Sequence, residues 1–144
     1  MKKLLFATAV FCFFTLSAGD AFACSCVLPS KQSLSKKVKK SYQEAAAVFY
    51  GEVTEITQKP ENFYVTVKLK VERSWKNQAE SEVIIQTGRG GGDCGYRFEI
   101  GKKYLVYAYR SESTLETNIC LRTSASDADS KYLDKIKKPK LFSK

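Results

Sequence analysis

Two cysteines one residue apart, Cys24 and Cys26, followed at long range by single cysteines at Cys94 and Cys120, constrain this chain more than any other feature. An even set of spaced thiols in an exported chain reads as a disulfide framework, because an oxidising compartment forms and keeps such bridges. A zinc site is the competing use, but Cys-x-Cys plus two isolated cysteines lacks the paired spacing of zinc ligands. A Cys24–Cys26 bridge would close a very small, strained ring. Both N-terminal cysteines are therefore expected to be clamped onto Cys94 and Cys120, in either pairing. Each bridge closes a long loop, worth up to about 4 kcal/mol on the chain-entropy account. Residues 24–26 would then be pinned to the body of the protein instead of fraying.

Export itself is read from residues 1–23. Lys2 and Lys3 lead into an uncharged stretch from Leu4 to Ala18, and Ala21-Phe22-Ala23 follows. A basic start, a short apolar run and an A-x-A ending describe a signal peptide, here of bacterial appearance. The run falls short of the roughly 20 apolar residues that a membrane helix needs. Cleavage after Ala23 would remove the fifth cysteine, Cys12, and leave residues 24–144 as a single domain that begins at Cys24. The expected location is secreted or periplasmic. Lipid anchoring at Cys24 is less favoured, since the lipoprotein box places Leu three residues before the cysteine and Ala21 stands there. A lipid would also consume the Cys24 sulfur.

The chain contains no histidine, which removes Ser-His-Asp and Cys-His catalysis and every His-based metal site. No nucleophile–base pair is evident, so neither an enzyme nor a resident cofactor is expected. The net charge is +9, and the lysines concentrate on two helical segments. That pattern implies a solvated surface with at most weak contact to acidic glycans or membrane surfaces. Tyr64 beside Lys68 and Lys70 is a conceivable base-stacking platform. Export and the placement of the lysines argue against nucleic acid.

Leu34, Val38 and Tyr42 recur at helical spacing and predict a helix over 30–46, with Lys31, Lys36, Lys37, Lys39 and Lys40 on its other faces. Residues 47–53 are apolar on both sides and read as a buried strand. From Val65 to Val71 apolar and polar residues alternate cleanly. Further strands are expected over 83–87, 104–109 and 115–123. A helix over 126–138 would take Ser126 as N-cap, Asp127 and Asp129 in its first turn, lysines in its last, and Pro139 as its stop. Trp75, at a strand end, is expected to plug the core. The architecture is thus mainly β, a five-stranded Greek-key OB-type barrel with flanking N-terminal and C-terminal helices, and a small sandwich as the alternative.

The run Gly88-Arg89-Gly90-Gly91-Gly92-Asp93-Cys94-Gly95 lacks the Gly-Lys-Ser/Thr and following helix of a phosphate loop. Its glycines permit a tight backbone, and Cys94 would anchor it as a surface loop.

The start Cys24-Ser25-Cys26-Val27-Leu28-Pro29, the Cys94-Gly95-Tyr96 element and the later Cys120 together resemble the tissue inhibitors of metalloproteinases. Shorter likenesses lie at Val48 to Val53, Lys70 to Lys76 and Asn118 to Thr123. The resemblance covers nearly all of residues 24–144 but only that family's N-terminal, netrin-like inhibitory domain; the second domain and a third disulfide are missing. It implies an OB-type barrel, bridges Cys24–Cys94 and Cys26–Cys120, and an inhibitory ridge of Cys24, Ser25, Cys26, Val27, Asp93, Cys94 and Gly95. It further implies that the Cys24 amine and carbonyl chelate the catalytic zinc of a target metallopeptidase, with Ser25 entering the adjacent specificity pocket. Asp93 departs from the apolar or small residue usual there. The competing functions are a non-inhibitory secreted binding or adhesion module using the basic surface, and a lipid-anchored envelope protein.

Overall fold

Strand β1 (Ala47–Gln58) is apolar on successive residues because both of its faces are covered. Phe49 and Val53 point into a barrel, while Val48 lies in a second cluster beneath the helices. The computed structural model describes residues 24–26, 31–77, 80–90 and 92–142; the expected signal peptide, Val27, Leu28, Pro29 and Ser30 lie outside them. Strands β2 (Tyr64–Lys76), β3 (Glu82–Gly88), β4 (Lys103–Ser111) and β5 (Thr114–Glu116) complete the barrel. Strand β1 pairs with both β2 and β4, and β3 pairs with β2 and, in parallel, with β5. That closure, β1-β2-β3-β5-β4 and back to β1, is an OB-type barrel. It leaves little free sheet edge.

The alternation in β2 behaves as its pattern predicts, with Val67, Leu69 and Val71 buried in the barrel beside Ile85 and Val106. Closing so small a barrel requires bent strands. The β1–β2 register shifts three times, between Val48 and Phe49, Tyr50 and Gly51, and Val53 and Glu55. Gly51 sits at one shift, where a Cβ would stand only 2.5 Å from the Lys70 carbonyl oxygen.

Helix α1 (Leu34–Glu44) is shorter than the predicted 30–46, because the chain turns extended at Ala45 to enter β1. Its stripe holds only in part: Val38 is fully buried, whereas Leu34 stays exposed. Helix α2 (Ser130–Ile136) corrects the expected 126–138. Ser126 is not its cap, and Asp127 and Asp129 precede its first turn. Their carboxylates are engaged elsewhere, Asp127 with Arg73 and Asp129 with Arg122. Only Lys135 remains in the last turn. A short strand β6 (Lys140–Leu141), absent from the sequence reading, pairs with β2. Trp75 is buried under the helices with Val38, Leu105 and Leu133, and its Nε1 donates to Asp134 at 2.8 Å.

The fifth strand was expected over 115–123 and stops at Glu116. Beyond it, hydroxyls replace the ladder. The Thr117 hydroxyl donates to the Tyr107 carbonyl at 2.9 Å, and Thr123 Oγ1 accepts the Tyr107 N–H at 3.0 Å. Residues between them are freed to turn, with Asn118 Oδ1 accepting the Cys120 N–H at 3.0 Å.

Candidate functional site

That turn carries Cys120 to the same end of the barrel as the glycine-rich loop, and the N-terminal segment joins them there. Cys24 is bridged to Cys94 and Cys26 to Cys120, with Cα–Cα distances of 5.3 and 5.1 Å. The bridges lie side by side, Cys24 Sγ standing 3.9 Å from Cys120 Sγ. The sulfurs of Cys24, Cys26 and Cys120 thus cluster within 4.8 Å. All are spent in disulfides and offer no thiolate to a metal. Ser25, between two tethered neighbours, is exposed.

The second wall of the site is built by Asp93. Its carboxylate accepts the N–H groups of Arg89 at 2.7 Å, Gly90 at 2.8 Å and Gly95 at 2.9 Å. These bonds, that from Gly95 foremost, hold the Asp93 carboxyl below its usual range against the opposing effect of desolvation. Cys94 adopts a left-handed backbone with φ of 61°. Its carbonyl receives the Ile119 N–H at 2.9 Å, which ties the loop to the Cys120 turn. Gly95 is buried and packs so closely on Gly88 that a Cβ would overlap its carbonyl. The Tyr96 N–H then donates to Thr87 Oγ1 at 2.8 Å.

A third connection ties in the β1–β2 turn. The Arg89 guanidinium donates to the carbonyls of Lys59 and Pro60, each at 2.9 Å, and to that of Asn62. The glycine-rich run is therefore an anchored loop, fastened at its acid, its cysteine and its arginine.

The structure brings together Cys24, Ser25, Cys26, Asp93, Cys94 and Gly95; Val27 is outside the described residues. It also gives Asp93 a use that the ridge reading lacked, since its carboxylate faces its own loop. No protein-family model matches the sequence. An NTR domain-containing protein of Margaritifera margaritifera is 33% identical over 104 residues, covering 69% of this chain and 67% of the relative. The chain belongs to the NTR-domain family. Two disulfides suit an extracellular or secreted NTR domain.

Sequence reasoning missed Arg89 as a strut and the partly buried set behind the site of this NTR domain. There Arg122 grips Asp129 through two bonds of 2.8 Å, and the Tyr107 hydroxyl donates to the same carboxylate at 3.2 Å. Burial first, and the Asp129 charge second, push the Tyr107 hydroxyl well above its ordinary range. The only sequence signal for Asp93 was its place in a glycine-rich turn, after Gly92 and two residues before Gly95, where an acid commonly accepts backbone N–H groups.

Proposed function

We propose that this protein inhibits zinc metallopeptidases by laying Cys24-Ser25-Cys26 against the catalytic zinc, and that it catalyses no reaction itself. The observation that carries this reading is the double clamp: Cys24 and Cys26 are each bridged to a separately anchored segment, with Ser25 exposed between them. A catalytic zinc keeps a coordination position open for water or substrate. Removal of residues 1–23 would leave the Cys24 amine and carbonyl as a five-membered chelating pair for that position. The bridges order this pair before contact, so little conformational freedom is lost on binding. Small Ser25 would enter the pocket beside the zinc, flanked by the Asp93-Cys94-Gly95 wall. Likeness to the tissue inhibitors of metalloproteinases supports the same assignment of Cys24 as zinc ligand.

Mass spectrometry of the exported protein, paired with inhibition assays against a panel of zinc endopeptidases, tests the proposal. A chain starting at Cys24 should inhibit, and one carrying an extra Ala before Cys24 should not. Equal inhibition by both would refute chelation by the amine.

A further inference from the structure

The four sulfurs of the two bridges are not equivalent. Cys120 is exposed, whereas Cys24, Cys26 and Cys94 are partly buried. An exposed disulfide is the one that an incoming thiol reaches first. The Cys120 sulfur also stands 3.9 Å from that of Cys24, across the gap between the bridges. We infer that Cys120 is a site of thiol–disulfide exchange: a dithiol reductant opens the Cys26–Cys120 bridge, and the freed Cys120 thiolate then moves the Cys24 tether from Cys94 to itself.

Atoms and electrons balance in two steps. The dithiol gives up two electrons and two protons and closes to its own cyclic disulfide, while the Cys26–Cys120 bond becomes two thiols. Cys120 loses its proton to solvent and attacks the Cys24 sulfur. A Cys120–Cys24 bond forms and the Cys24–Cys94 bond breaks. The electron pair leaves on the Cys94 sulfur, which takes a proton from water. This second step exchanges one disulfide for another and consumes no reductant.

The fold keeps the two reacting sulfurs together once the first bridge has opened. Cys24 is still held by Cys94. The Cys94 carbonyl accepts the Ile119 N–H at 2.9 Å, so the Cys120 turn stays against the glycine-rich loop through a bond that no thiol touches. Asn118 Oδ1 accepts the Cys120 N–H at 3.0 Å, and the Thr117 hydroxyl fastens the start of the turn to Tyr107. The attack is therefore intramolecular, and from 3.9 Å the sulfur must close by only about 2 Å to reach bonding distance. Cys94 is a fitting residue to release. Its backbone is held left-handed at φ of 61°, a conformation that disfavours a side chain, so its loop relaxes on losing the tether. Cys26, the other freed thiol, lies within 4.8 Å of the same Cys24 sulfur, but their bond would close the small, strained Cys-x-Cys ring.

The consequence for the ridge rests on the inhibitory reading proposed for it. After the exchange the Cys24 amine is still free. Its residue is tied to the Cys120 turn, however, and no longer to the Asp93-Cys94-Gly95 wall. A reductant would thus weaken inhibition without removing the zinc ligand.

Treating the full processed protein with limiting dithiothreitol, trapping thiols with iodoacetamide and mapping peptides tests the exchange. Molecules that keep one bridge should carry label on Cys26 and Cys94, with Cys24 joined to Cys120. Cys26→Ser repeats the test without reductant: its odd thiol should be shared between Cys120 and Cys94, whereas in Cys120→Ser the odd thiol should stay on Cys26. Label confined to Cys26 and Cys120 in the first experiment, or absent from Cys94 in Cys26→Ser, would overturn the exchange. Inhibition is compared between two locked proteins, Cys26→Ser/Cys120→Ser with the tether at Cys94 and Cys26→Ser/Cys94→Ser with the tether at Cys120. The second should inhibit about tenfold more weakly, because its chelating terminus is no longer ordered against the wall. Equal inhibition by both would overturn the effect on the ridge and leave the exchange standing. Failure of the unaltered protein to inhibit any zinc endopeptidase would sink the inhibitory reading alone.

Discussion

Asp93 accepts the N–H of Gly95 at 2.9 Å, bending the chain around Cys94 so that the bridge to Cys24 leaves the loop at a set angle. The same carboxylate takes the N–H groups of Arg89 and Gly90. Asp93→Ala should therefore cost about 1 kcal/mol in a urea melt, a modest value because the group is exposed and solvent-screened. Its effect on inhibition should be larger than its effect on stability, since the loop wall would loosen while the barrel stays intact. The pH dependence has a definite sign. A carboxyl held below its usual range stabilises the fold above the unfolded value and loses that contribution as pH falls through the folded one. The gap between wild type and Asp93→Ala should thus be full above about pH 5 and close as pH falls below about 4. A gap unchanged in acid would contradict the assignment.

The oxidised protein starting at Cys24 should contain no free thiol, and non-reducing peptide mapping should recover Cys24 with Cys94 and Cys26 with Cys120. Cys26→Ser/Cys120→Ser removes a bridge spanning 94 residues. It should lower stability by about 2–4 kcal/mol. It should also release Cys26 while Cys24 stays tethered.

Removing the Arg122 side chain would leave the buried Asp129 carboxylate without its cation. Arg122→Ala is expected to cost about 3 kcal/mol, the penalty typical of a broken buried pair. Tyr107→Phe deletes one hydrogen bond to the same acid and should cost about 1 kcal/mol. The single tryptophan, Trp75, provides the readout. It is buried under the helices, so unfolding should shift its emission to the red. Equal costs for the two substitutions would mean that the ion pair is not the dominant element.

Chelation by the Cys24 amine requires the neutral form, so inhibition should tighten as pH rises and the proton leaves. An unperturbed α-amine titrates near pH 7.7–8.0, which places the gain between about pH 6 and 8. Inhibition constants measured across that range against an enzyme with flat activity check this. A flat profile, or tighter inhibition in acid, would remove the amine from the mechanism.

Local pattern along the chain was enough to place several elements. Strict alternation from Val65 to Val71 placed β2, helical spacing placed Val38 on a packed face, and the order of the cysteines required a clamped N-terminus. Both-sided apolarity at residues 47–53 marked a strand covered on two faces, as β1 is by the barrel interior and the helices. Tertiary structure decided what depends on partners distant along the chain. The sequence reads as one strand over 115–123, yet Thr117 and Thr123 bond to Tyr107 and let Cys120 turn toward Cys26. Asp129 had the makings of a first-turn acid for a helix, but Arg122 takes its carboxylate and the helix begins one residue later. Asp93 read as a departure on a ridge and proved to organise its own loop. Periodicity reports which faces must leave water, because burial is averaged over many residues. The destination of a single polar side chain is set by whichever donor or acceptor the folded chain brings within about 3 Å, and no local pattern encodes that distance.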